Sequence, residues 1–293
     1  MKKIAILGCE NSHANTFLGY IKNNPKYSDV QVVGSFSEDD GAAQKLKDAF
    51  GVPVMNSYDE LVGQVDGIIV TARHGGKHYK YAKPYIASGI PMFIDKPITV
   101  NGDEALQFIT ECKGAGVKVT GGSCTIYAEV IKELKNDALN EVDGKTIGGF
   151  VKAPINMNNV WGGFYFYADH LISMLAEVFG RYPKSVKAFV NGNEITVIVR
   201  YDNFDITALF HEGNPATYHA MRVAEKSIKL YEVPVISEDM YCFKKEFDEF
   251  YRILKGGEQA VTYKDFIATV YILDAINKSI ETGEEVKVKE FDI

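Results

Sequence analysis

The 293-residue sequence predicts an α/β chain. A doubly wound parallel sheet comes first, followed by an α+β domain with a largely antiparallel open sheet. Three observations carry this. Up to residue 121, short Ile/Val-rich runs alternate with segments of helical period, the mark of β-α-β units. Several of these runs are apolar without alternation, as strands covered on both faces should be. Beyond residue 121, alternating strands are joined by turn signals and followed by amphipathic helices. The predicted domains are therefore 1–121 and 122–293.

Taken in order, strands are expected at Lys3–Leu7, Val30–Phe36, Gly67–Thr71, Met92–Asp95 and Lys118–Gly121. Between them a helix runs from about Asn15 and stops before Pro25, and a second covers Asp40–Phe50 with Gly51 as its stop. Ser57 and Glu60 have the spacing of a capping box. A helix starting near His78 carries Pro84 inside it, which predicts a kink. In the second half, helices are expected over Ala128–Asn136 and after His170. Strands follow at Ser185–Val190, Ile195–Tyr201, Asp205–Phe210, Thr217–Val223 and Ser227–Glu232, and Asn191-Gly192-Asn193 favours a left-handed hairpin turn. Phe243, Phe247, Phe250 and Leu254, then Phe266, Val270 and Leu273, repeat at helical spacing.

Composition narrows the function. Hydrophobic residues make up 46% and charged residues 24%, the balance of an ordinary globular chain. A net charge of -7 argues against capture of nucleic acid or of an anionic membrane face. No apolar run approaches the ~20 residues that cross a bilayer, and the run at Ile4–Leu7 is too short for a signal peptide. Cys9, Cys112, Cys124 and Cys242 are scattered without a C-x-x-C, so reduced thiols and a cytoplasmic location are expected.

The first candidate site is the turn after the first strand. Gly8-Cys9-Glu10-Asn11-Ser12-His13 stands where a dinucleotide-binding chain shows G-x-G-x-x-G, and only Gly8 survives. A Glu10 carboxylate ~4 Å from a phosphate would cost about 4 kcal/mol at an effective dielectric of 20. Either Glu10 points away, or the loop is reshaped, or the cofactor is not held here. Otherwise Asn11, Ser12 and Asn15 simply cap a helix. At the end of the second strand, Ser37 occupies the place of a ribose-binding acid, and Glu38, Asp39 and Asp40 follow it. Acids there would repel a 2'-phosphate, which favours NAD over NADP.

The second site is Thr71, His78 and Gly89-Ile90-Pro91-Met92-Phe93-Ile94-Asp95-Lys96-Pro97. This pattern resembles the Gfo/Idh/MocA oxidoreductases, whose signature is a strand ending in Glu-Lys-Pro. The spacings from His78 to Gly89 and from Gly89 to Lys96-Pro97 match without a gap. Asp95 replaces the usual Glu, and two extra residues lie between Thr71 and His78. The resemblance implies a Rossmann-type sheet, NAD or NADP as cofactor, and a sugar, cyclitol or related polyol as substrate. It makes Lys96 the residue that assists proton transfer at the substrate hydroxyl, and it places Gly8, Thr71, His78 and Asp95 beside the cofactor. His74 and His78 do not form a metal pair, because Gly75-Gly76 breaks any shared helical face and no third ligand is evident.

The third site is Trp161-Gly162-Gly163-Phe164-Tyr165-Phe166-Tyr167-Ala168-Asp169-His170. In the resembled family a Gly-rich turn leads to Asp-x-x-x-His at a helix start. His170 matches the histidine and is the expected general base, kept neutral by the helix N-terminus. Phe166 stands at the aspartate position, and Asp169 is its nearest substitute. Trp161 and Tyr167 would stack on a sugar or seal a core.

The leading expectation is thus a NAD(P)-dependent dehydrogenase of polyols. The alternatives are a catalytically inactive sensor or regulatory relative of the same fold, motivated by the lost glycines, and a carbonyl or imine reductase. A homodimer or homotetramer through the C-terminal sheet is expected.

Overall fold

The structure is a computed structural model that describes residues 1–213, 217–235 and 241–293. The chain separates into two compact units. Unit 1 comprises Met1–Gly122, Phe243–Phe266 and Ile293, and unit 2 comprises Ser123–Cys242 and Ile267–Asp292.

The first 122 residues build β1 (Lys2–Leu7), α1 (Ser12–Asn23), β2 (Val30–Phe36), α2 (Asp40–Phe50), β3 (Gly67–Val70), α3 (His78–Ile86), β4 (Met92–Asp95), α4 (Gly102–Gly114) and β5 (Val119–Gly122). Among the described residues these strands form one five-stranded sheet in the order β2-β1-β3-β4-β5. All four pairings are parallel. The burial of every residue of β3 and β4 explains their unbroken apolar sequences. Val54 adds a single parallel bridge to Ser35 outside β2. Counting that bridge as a vestigial strand gives the order of a dinucleotide-binding sheet, with its switch point between β1 and β3.

Two local expectations change here. Helix α1 begins at Ser12, three residues earlier than its apolar pattern indicates. The Ser57–Glu60 box starts no helix, since residues 57–64 form successive turns. Glu60 instead accepts the Asn56 amide at 2.6 Å, a local bond that competes with helix formation.

In unit 2, α5 (Glu129–Leu139), β6 (Thr146–Ile155) and α6 (Phe164–Phe179) precede β7 (Ser185–Asn191), β8 (Glu194–Arg200), β9 (Asp205–Glu212), β10 (His219–Ala224) and β11 (Ile228–Glu232). After α7 (Tyr241–Leu254) and α8 (Tyr263–Thr282), β12 (Val286–Lys287) closes the edge. The described strands form a seven-stranded sheet, β11-β10-β6-β9-β8-β7-β12. Only β6 and β9 pair in parallel. Strands β8, β9 and β10 alternate buried and more exposed residues, so one face is covered and the other is not. Central strand β6 is absent from the sequence reading because Gly148-Gly149 and Pro154 disguise it. Helix α6 is buried on nearly all sides.

Helix α7, which the sequence reading assigns to the second domain, groups with unit 1 from Phe243 onward. The physical reason is its aromatic stripe. Phe247 and Phe250 are fully buried in one cluster with Ile4, Ile6, Phe17 and Phe93. Their rings meet Phe17 at 5.2 Å and Phe93 at 6.3 Å, respectively.

Candidate active site

Unit 1 presents the carboxyl ends of β1 and β3 at the switch point, with that of β4 next to them, where open α/β sheets hold their ligands. Gly8 ends β1 with φ 76°, and a Cβ there would lie 2.5 Å from Ala72. Only glycine tolerates both the left-handed turn and that approach. The Thr71 hydroxyl, fully buried, donates to the Gly8 carbonyl at 2.8 Å and fixes the turn. Cys9 is buried, and burial pushes its thiol up to about 12, so it is inert.

Glu10 turns toward the tip of β2. Its carboxylate accepts the Ser37 hydroxyl at 2.7 Å and the Arg73 amide at 3.2 Å. Asn11 occupies the N-cap of α1 yet makes no cap bond. Its amide donates instead to Asp95 Oδ2 at 2.7 Å, which overturns the reading of Asn11 as a helix cap. Ser12 is exposed and donates to Asn11 Oδ1 at 3.3 Å.

Asp95 is the hub of this half-site. It is fully buried, and both oxygens are engaged. Oδ2 also meets His13 Nδ1 at 2.6 Å, and Oδ1 accepts the Lys96 backbone amide at 2.7 Å. Burial opposes its ionisation, but the His13 imidazole beside it, then Lys96, outweigh burial and hold the carboxyl below its usual range. His78 is equally buried, with Nε2 at 2.8 Å from the Ala72 carbonyl and Nδ1 at 3.3 Å from that of Ile98. Burial lowers its pKa, so it is a neutral imidazole that donates one proton, best to Ala72. His78 and Asp95 therefore brace the backbone on either side of Lys96 and face inward rather than lining a cleft. Lys96 itself is 5% exposed, at a cis Lys96–Pro97 bond. The inserted turn between Thr71 and His78 packs Gly75 against Pro97. His74 uses Nδ1 to accept the Gly76 amide at 3.1 Å.

The residues fit a dinucleotide. With Asn11 drawn off to Asp95, the first-turn amides of α1 lack a side-chain acceptor and can face a phosphate. Glu10 is bonded toward Ser37 and β3 instead.

Unit 2 holds the second cluster. His170 Nδ1 lies 2.7 Å from the Ser123 hydroxyl, which contacts the Thr125 hydroxyl at 2.8 Å, and Thr125 bonds back to the His170 carbonyl at 3.2 Å. The Tyr218 ring stands edge-on to His170 at 5.9 Å. Because the aromatic run from Phe164 is itself helical, His170 sits in the second turn of α6, not at its N-terminus. The helix N-terminus therefore does not act on its imidazole. Asp169, buried, accepts from Ser173 at 3.1 Å. Phe164 and Phe166 are core residues, whereas Trp161 and Tyr167 are only half-buried. The Trp161 amide donates to Asn159 at 2.8 Å, and the Tyr167 ring meets Phe166 edge-on at 4.8 Å.

Sequence reasoning missed Ser123, Tyr218 and Lys152. Lys152 on β6 donates to the Thr217 carbonyl at 2.7 Å, and burial lowers its pKa. Among the described residues no group of three or more His, Cys, Asp or Glu could hold a metal ion, and no helix is long and apolar enough to cross a membrane.

Residues 2–123 match the family model GFO_IDH_MocA, described as an oxidoreductase family with an NAD-binding Rossmann fold. Residues 2–123 are similar to this family. Asp95-Lys96-Pro97 lies within the matched stretch. The chain is also 22% identical over 166 residues to a protein of Amycolatopsis mediterranei (strain S699) named as a UDP-kanosamine synthase oxidoreductase subunit. That match covers 53% of this chain and spans about half, 46%, of the relative. The fold resembles myo-inositol 2-dehydrogenase from Lactobacillus plantarum, with TM-score 0.84 and 15% identity over 98% of this chain and 99% of that one. It resembles scyllo-inositol dehydrogenase from Lactobacillus casei equally, with TM-score 0.84 and 13% identity over 98% of each chain. GenD2 from gentamicin A biosynthesis, solved in complex with NAD, aligns with TM-score 0.83 and 15% identity over 99% of this chain and 97% of that one.

Proposed function

We propose that the chain is a NAD-dependent dehydrogenase of a cyclitol, sugar or related polyol. The observation that carries the reading is Lys96, held at a strand end by a buried, fully bonded Asp95 within the stretch that matches the Gfo/Idh/MocA model. The named activities of the inositol dehydrogenases that share the fold support the substrate class. Nicotinamide supplies the two-electron hydride chemistry. Lys96 orients the substrate hydroxyl and assists its proton transfer, and Asp95, His13 and Asn11 keep the lysine backbone in place. His170, positioned by Ser123, is the proposed general base. Trp161 and Tyr167 offer ring faces to the substrate.

NAD is preferred over NADP because of Glu10. Glu38 is already paired with Lys77 at 2.7 Å and Lys80 at 3.0 Å, and Asp39 caps α2. The Glu10 carboxylate on Ser37 is the acid that would meet a 2'-phosphate, and it suits a ribose diol.

The test is a titration with NADH and NADPH, exciting Trp161, the sole tryptophan. Saturable micromolar binding of NADH, with NADPH weaker, is expected. A panel of cyclitols and sugars should then yield turnover that Lys96→Ala lowers by about 10²–10⁴-fold. Turnover retained within a few-fold would remove Lys96 from the mechanism, and failure of both cofactors to bind would favour the non-catalytic reading.

A further inference from the structure

His170 Nδ1 meets a hydroxyl, and a hydroxyl by itself leaves the imidazole undecided. A carboxylate could only accept from Nδ1, whereas Ser123 Oγ can give that nitrogen a proton or take one from it. The remaining contacts of the cluster decide between the two. Ser123 and Thr125 are 2% and 0% exposed, so the protein itself must satisfy their hydroxyls. Ser123 stands at the N-cap of a 3-10 turn, Cys124–Tyr127, and its Oγ accepts the Thr125 amide at 3.3 Å. That bond takes one acceptor site of Oγ and holds the side chain against the turn.

Thr125 Oγ1 has one proton. A backbone carbonyl can only accept, so the contact of Thr125 Oγ1 with the His170 carbonyl at 3.2 Å commits that proton to the carbonyl. The 2.8 Å contact between the two hydroxyls must then run from Ser123 to Thr125. Ser123 has no second proton to give, so in its 2.7 Å contact with His170 the Nδ1–H donates. Run the other way, the chain would set the Thr125 and His170 oxygens 3.2 Å apart with no proton between them. In the direction that fills every contact, donation passes from His170 Nδ1 to Ser123, from Ser123 to Thr125, and from Thr125 to the carbonyl of the same histidine. The ring of bonds closes on one residue.

We propose that Ser123 and Thr125 are positioning residues that hold the neutral His170 imidazole in its Nδ1–H tautomer, so that Nε2 is the atom that takes a proton. The assignment comes from the Nδ1 side of the ring alone. Its part in turnover rests on the reading of His170 as general base, while the tautomer itself does not. Nδ1 adjoins the main chain of the histidine, and Nε2 is the far corner of the ring. The opposite tautomer would present an N–H where the reaction needs a lone pair. With the right one, the proton released from the substrate hydroxyl is accepted at Nε2 while Nδ1–H stays on Ser123, giving an imidazolium. The Thr125 hydroxyl bonds the histidine at its carbonyl, so its effect on the ring runs through Ser123.

Magnetic resonance of protein labelled with 15N at histidine reads the tautomer without substrate or cofactor. The His170 ring signals are identified among the six histidines by their loss in His170→Gln or, should that variant not fold, by through-bond connection to the residue 170 backbone. At a pH where the ring is neutral, long-range 1H–15N correlation should show Nδ1 as the protonated nitrogen and Nε2 as the bare one, far downfield of it. The reverse order overturns the proposal. Ser123→Ala removes the acceptor and should lower the ratio of Nδ1–H to Nε2–H tautomer by about five- to ten-fold, as the loss of one hydrogen bond does. Thr125→Val releases the Ser123 proton toward Nδ1 and should lower the ratio in the same sense, and Thr125→Ser should restore it. An unchanged ratio in either variant, once folded, overturns the proposal; if neither folds, the wild-type spectrum decides. Turnover of His170→Gln on the cyclitol and sugar panel separates the two readings. The Nδ1–H tautomer with turnover retained leaves the assignment standing and removes the general base, whereas lost turnover with the opposite tautomer removes the roles of Ser123 and Thr125 alone.

Discussion

Asp95 and Glu246 are two buried carboxyls of opposite character within one unit. Asp95 has a partner for each oxygen and its carboxyl is held below the usual range, while Glu246 has none and burial pushes its carboxyl well above that range. Their contributions to stability run in opposite directions with pH. A carboxyl whose folded pKa is raised is fully tolerated below the ordinary carboxyl range near 4.3, and it destabilises as pH climbs toward its folded value. Glu246→Gln should therefore match wild type near pH 4 and gain on it above that, by about 1.4 kcal/mol per pH unit until Glu246 ionises. Denaturant unfolding at several pH values checks this, and a constant difference across pH would refute the raised pKa. Glu10 belongs to the same scale. Glu10→Gln removes the charge beside Ser37 and should improve NADPH binding relative to NADH by at least ~10-fold, about 1.4 kcal/mol. Competitive titration of the two cofactors measures that ratio.

Among the elements, the strands of unit 1 were the most legible, because burial on both faces writes itself as Ile/Val runs such as Ile68-Ile69-Val70. The end of β4, just before Lys96, was legible for a different reason, since it lies in a motif of fixed spacing. Asn11 was not, because an asparagine before a helix reads as a cap, and only the folded chain brings Asp95 within its reach. Strand β6 hid behind its glycines and Pro154. Glu246 looks like any acid of a charged helix, yet a signal was present: it falls on the stripe of Phe243, Phe247 and Phe250, where a solvated side chain has no place. That stripe is what seats α7 in unit 1. Phe247→Ala should cost about 3–5 kcal/mol of unit 1 stability by leaving a cavity among Phe17, Tyr27 and Phe250. Thermal unfolding of the variant tests this, and a loss under 1 kcal/mol would mean that the aromatic cluster is not the anchor.

For the whole molecule, the uncovered sheet face of unit 2 bears on assembly. Phe189, Ile228 and Leu230 are 54%, 66% and 58% exposed on its strands. Phe189 stands on β7 and Ile228 and Leu230 on β11, near opposite ends of that sheet, and we propose that these apolar side chains meet a second copy of the chain. Light scattering should give a dimeric or tetrameric mass that Ile228→Glu with Leu230→Glu reduces, and a monomeric wild type would overturn the assignment.

The return of α7 also matters at the ribosome. At roughly 5–20 residues per second, the 123–242 stretch takes on the order of ten seconds to synthesise after Gly122 has been added. Throughout that interval the nascent N-terminal sheet must leave Phe17, Phe93 and Tyr27 without the helix that buries them. The cofactor-binding half is therefore the first to be made and cannot be the first to be finished. Its exposed aromatic face is a ready site for chaperones, and a message truncated before residue 243 would yield a domain bearing the Lys96 motif without a closed core.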